Sequence, residues 1–368
     1  MTGYPARFPF MAVAALSLLA ALWAGLVRLG WALPFPTTNF PANHGQLMIV
    51  GFLGTLICLE RSVALKRLWP YGAPVLAGLS SLALPVDLPF QVSPFLAAGA
   101  SLFLISIFVF LFRLHPSDFL LTMGLAALLW LVGNLLLCFG YPLNHAVPWW
   151  IGFLVLTIAG ERLELSRLMR LTLLSRALFL TTVGLCLLGL TVSLFAFGFG
   201  IRLASVALIA LALWLFRCDI AWRTIRQTGL PRYMAVCLLS GYVWLGIGGL
   251  LWFSFADFFA AGRHYDAMLH SIFLGFVFSM IFAHAPIIFP SVTGLAMPFR
   301  PAFYGHLGLL HLSLILRVAG DLTPWNIGQK WGGLLNALAI LLFLANNLRS
   351  VMAARSSDPD YRRQFSQL

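Results

Sequence analysis

Runs of about twenty apolar residues, each long enough to cross a bilayer, recur along this chain with charged side chains confined almost wholly to their ends. No other feature restricts the fold as strongly, because a lipid environment leaves backbone groups no partner but each other and admits only helices or a closed barrel. Apolar stretches of this length predict helices. They fall near 10–30, 43–64, 72–86, 95–113, 118–139, 147–165, 177–196, 200–216, 233–255, 266–289, 302–319 and 331–350, which makes twelve spans. Only 9% of the residues are charged against 61% hydrophobic, a balance that excludes a soluble domain. The first apolar run outlasts a secretory core and lacks a small-residue cleavage site, so it is read as a span.

The net charge of +12 raises nucleic acid as a partner, and its placement argues against one. With both termini cytoplasmic, eighteen of the 23 basic residues fall inside and five (Arg28, Arg202, Arg263, Arg317 and Lys330) fall outside. That asymmetry is the positive-inside rule of membrane topology. The inner clusters Arg167/Arg170/Arg176 and Arg223/Arg226/Arg232 need only anionic lipid as partner. The expected architecture is an all-α polytopic membrane protein of about twelve helices, its partner the bilayer, with residues 351–368 as a cytoplasmic tail. The five cysteines form no C-x-x-C or C-x-x-C-H pair, so neither a disulfide framework nor covalent haem attachment is indicated.

Two segments repeat their polar residues. NHGQLMIVGFLGTLICLER (43–61) and NHAVPWWIGFLVLTIAGER (144–162) share Asn-His, Gly-Phe-Leu and Glu-Arg at the same offsets. A weaker echo lies in span ten, HSIFLGFVFSMIFAHAP, where His284 follows Gly275 by nine residues as Glu60 follows Gly51. Spans two, six and ten are four apart, which predicts three four-helix arcs with repeat units 1–113, 114–216 and 217–350. A two-halved transporter would repeat every six spans instead. The plainer explanation is that membrane helices draw on few residue types.

Imidazole binds metal through one nitrogen while the other is held by a hydrogen bond. His44, opening span two, and His270, one turn into span ten, lie at the outer level and could approach one ligand from opposite sides. At 100° per residue His284 returns to roughly the same stripe of span ten as His270, about 21 Å deeper. It is a second candidate metal ligand near the inner face, with His311 of span eleven as its partner. His145 occupies the repeat position of His44. Arg61 and Arg162 either neutralise their neighbouring glutamates or pair with an inner-face anion such as a haem propionate. For every one of these residues the competing reading is a boundary side chain satisfied by headgroups or backbone.

These residues resemble two families. Histidines on spans two, six and ten of a threefold chain resemble the catalytic subunits of the haem-copper oxidase superfamily. The chain is more similar to the NnrS family, membrane proteins containing haem and copper and linked to nitric oxide and nitrosative stress. That family's first motif, H-x-H-E-M-x-x-G-F, is met at His44, Met48, Gly51 and Phe52, with Gln46 and Leu47 in place of the second histidine and the glutamate. Its late motif, H-x-x-x-x-G-x-x-x-x-M, is met at His270, Gly275 and Met280, and LILRVAGDL around Arg317 resembles its penultimate span. The resemblance implies haem, and copper as a second metal, in a bacterial inner-membrane protein that handles nitric oxide, another small gas or electrons from an unidentified partner. It departs from the oxidases in that span seven has no histidine and every acidic residue lies at a span end or in a loop. Catalytic turnover of oxygen or nitric oxide is therefore not expected. The rival classes are a transporter of a small solute or metal ion and a purely structural assembly partner.

Overall fold

The computed structural model describes residues 4–86, 89, 91–166 and 171–357, and among them every regular element is helical. Twelve helices carry the fold: α1 (Phe8–Arg28), α2 (Phe40–Leu65), α3 (Gly72–Ala83), α4 (Val92–Leu114), α5 (Asp118–Cys138), α6 (Leu143–Leu165), α7 (Leu173–Val192), α8 (Phe197–Cys218), α9 (Gly229–Phe255), α10 (Arg263–Thr293), α11 (Phe303–Leu322) and α12 (Asn326–Ser357). Eleven of these, all but α3, are long and apolar enough to cross a membrane. α3 is shorter than the expected third span: its 12 residues extend about 18 Å at 1.5 Å per residue, and the flanking turns complete the return along α2, whose Asn43 and Ser62 donate to Leu84 O and Pro70 O at the two ends of the segment. α12 runs past the expected end of the last span to Ser357, so part of the expected tail is helix. The rest of that tail, Asp87, and Arg167 and Arg170 of the inner cluster lie outside the described residues.

Local chemistry sets the boundaries. Gly30 and Gly294 leave α1 and α10 at φ values of 79° and 75°, a left-handed turn that costs glycine nothing. The helices then pack largely as sequential neighbours, α4 on α5, α5 on α6, α7 on α8, α8 on α9 and α11 on α12. Short connections make such neighbours antiparallel.

The three helices bearing the repeated residues meet one another. Arg61 of α2 pairs with Glu161 of α6, Arg162 of α6 reaches His284 of α10, and Phe52 of α2 stacks on Phe278 of α10 with ring centres 6.1 Å apart. In α2 and α10, but not in α6, the helix widens just after the histidine. Leu47–Gly54 and Ser271–Phe278 are both eight-residue stretches of i→i+5 hydrogen bonding. Such wide turns are rare and concentrate at functional sites. They also advance the chain by fewer degrees per residue than the uniform 100° on which the common stripe expected for His270 and His284 rests.

Candidate functional site at the His44–His270 cavity

A cavity of about 410 Å³ opens between α2 and α10, walled further by α1, α6, α11 and α12, and both His44 and His270 line it. Each histidine is oriented by a backbone carbonyl. His44 Nδ1 lies 2.7 Å from Ala21 O of α1, and His270 Nδ1 lies 2.9 Å from Asp266 O one turn earlier in α10. A carbonyl only accepts, so each Nδ1 carries the proton and each Nε2 is left with its lone pair. Neither Nε2 has a hydrogen-bond partner among the described residues.

The two rings lie 6.3 Å apart, centre to centre, with planes 29° from parallel. That separation also suits a metal held between the two rings. Imidazole nitrogens bind at about 2.0–2.1 Å with the ring centre roughly 1.2 Å behind, so two imidazoles on opposite sides of one ion place their centres about 6.4 Å apart.

Support for the two histidines is unequal. Arg317 of α11 donates Nε and Nη2 to the two carboxylate oxygens of Asp266 at 2.7 and 2.8 Å. Asp266 Oδ1 in turn lies 3.2 Å from His270 Nδ1. This carboxylate and guanidinium pair fixes the orientation of the ring, as the outer partners of metal-bound histidines do. His44 has only the Ala21 carbonyl, but its ring fits against Gly25, where an added Cβ would come within 3.0 Å of ring atoms. Glycine is required there by close approach, not by conformation.

The remaining expected residues are placed elsewhere. His284 is tied to neighbours at both ring nitrogens: its Nδ1 is 2.7 Å from Met280 O and its Nε2 lies 3.4 Å from Arg162 Nη1. Both nitrogens are spent, so the arrangement offers no free metal ligand at this position. His311 does not meet it. Its Nδ1 accepts from Trp244 Nε1 at 3.0 Å, and Trp244 packs on Gly275, nine residues before His284 on α10. His145 packs its ring 4.5 Å from Phe197 and 6.0 Å from Tyr141, outside the cavity lining.

Arg162 is buried and forms a two-pronged pair with Asp219 at 2.7 and 2.8 Å; Tyr242 Oη and the Ala221 N–H also donate to Asp219, at 2.8 and 2.7 Å. Arg61 pairs with Glu161 and lies 3.6 Å from Glu60. Neither arginine lines the cavity, so neither is placed to meet an anion held between His44 and His270. Among the described residues no three His, Cys, Asp or Glu side chains converge, which leaves the expected copper without a centre built of three such ligands.

Reading the sequence alone missed Gly25, Asp266 as a support and Asp219. Asp266 carried a signal, since it stands four residues before His270 and so on the same helix face. Gly25 and Asp219 carried none, because they meet His44 and Arg162 only through tertiary packing.

No curated protein matches the sequence. The chain belongs to the family described as Domain of unknown function (DUF8744), which matches residues 7–352.

Proposed function

We propose that this multi-pass membrane protein is a haem protein of the kind its motifs resemble, with His44 and His270 as the two axial ligands. One observation carries the reading: imidazoles from separate helices, each with Nδ1 committed to a carbonyl and Nε2 free, face a shared cavity with ring centres 6.3 Å apart. The residues fit the group. His44 and His270 would hold the iron, and Asp266 with Arg317 would keep His270 in its ligating tautomer.

Haem iron would supply one-electron chemistry and a position for a small gas. With both His44 and His270 holding the iron, electron handling would be favoured. His44, held by a single carbonyl, would be the less firmly fixed of the two and so the one that could make room for nitric oxide or a similar gas. Copper enters no step of this account. We further infer that the twelve helices form three four-helix arcs, supported by the meeting of α2, α6 and α10, with both termini cytoplasmic in a bacterial inner membrane.

The absorbance spectrum of the purified protein, with metal analysis, tests this. A Soret band is expected; it should be lost in His270→Ala and should shift in His44→Ala, where one imidazole remains. A colourless protein that loads a metal ion would instead favour the transporter alternative.

A further inference from the structure

Among the described residues the lining of the same cavity carries a net positive charge. Its lining holds three guanidiniums, Arg28, Arg263 and Arg317, against one carboxylate, Asp266. Arg317 spends two of its nitrogens on that carboxylate. The other two arginines keep donors free. Arg28, at the exposed end of α1, makes no hydrogen bond or ion pair among the described residues. Arg263, opening α10, gives Nη2 to Asn326, while its Nη1 is buried with no partner. A buried guanidinium donor without an acceptor is costly, so the cavity is built for something that brings acceptors.

Arg263 precedes His270 by seven residues, roughly 10 Å along the helix. That span matches the distance from the centre of a flat macrocycle to a carboxylate on a short arm at its edge. The hydrophobic wall runs the other way, through Phe273, Leu274, Phe278, Ala337 and Ile340.

Resting on the haem reading above, we propose that the cavity selects an anionic, dicarboxylate macrocycle and orients it, with Arg28 and Arg263 pairing with the two carboxylates and the apolar edge directed toward Phe278. This assigns the anion-binding role to Arg28 and Arg263 in place of Arg61 and Arg162, whose guanidiniums already hold Glu161 and Asp219.

The test is a titration of the full-length haem-free protein in nanodiscs with iron protoporphyrin IX and, separately, with its dimethyl ester, which removes both charges and keeps the ring. The free acid should bind at least tenfold more tightly. Arg28→Gln and Arg263→Gln should each weaken the free acid about tenfold, the loss of one charge-assisted hydrogen bond, and leave the ester unchanged; Arg→Lys at either position should recover part of the loss. Equal affinity for acid and ester in the unmodified protein, or variants that weaken both ligands alike, would overturn the assignment while leaving His44 and His270 as ligands. Failure of both compounds to bind would overturn the haem reading and this inference with it.

Discussion

Two histidine clusters sit on the same helix, and they differ in what their neighbours leave unspent. At His270 each ring commits one nitrogen to a carbonyl and turns the other to a cavity shared with His44. At His284, Arg162, Asp219, Tyr242 and Met280 use both ring nitrogens and the carboxylate in a closed network. Similar residue types thus make a site in one place and a structural clasp in the other. Ligand capacity follows from the donor and acceptor count, which polar composition does not reveal.

The largest difference should appear on removing a histidine. His270→Ala is expected to abolish haem binding, whereas His284→Ala should leave the Soret band of the folded protein unchanged; absorbance per mole of protein checks both. Removing a charge should reverse the ranking when stability is measured. Asp219→Ala strands Arg162 in a buried position, at a cost of about 3–5 kcal/mol, and thermal unfolding should show it with the haem spectrum of the surviving protein intact.

Smaller effects probe the supports of the cavity. Asp266→Asn weakens the hold on His270 and should lower haem affinity about 10- to 100-fold, measured by haem transfer to a competing apoprotein. Gly25→Val presses on the His44 ring; it should speed haem loss by about tenfold or less, since the rigid cores around such contacts relax only in part. His145→Ala, remote from both clusters, should change neither haem content nor affinity.

Much of the fold was legible in the sequence because hydropathy reports lipid contact directly. Eleven of the twelve expected spans are long apolar helices. The exception, α3, is shorter than expected because an apolar run of 72–86 does not say where its helix stops, and the structure ends it at Ala83. His44 and His270 were legible as a pair, since both open a span at the same end. The pairing of His284 with His311 was not. It rested on both residues lying near the inner ends of their spans, whereas the structure turns His311 to Trp244 and His284 to Met280 and Arg162. Arg61 and Arg162 could not be sorted from sequence either, because their partners Glu161 and Asp219 are 100 and 57 residues away.

The central claim is that two imidazoles grip one iron across this cavity. Low-temperature electron paramagnetic resonance of the oxidised haem-loaded protein tests it most directly. A low-spin ferric signal is predicted, converting to a high-spin five-coordinate signal in His44→Ala supplied with no exogenous ligand. An unaltered low-spin signal in both His44→Ala and His270→Ala would contradict the account.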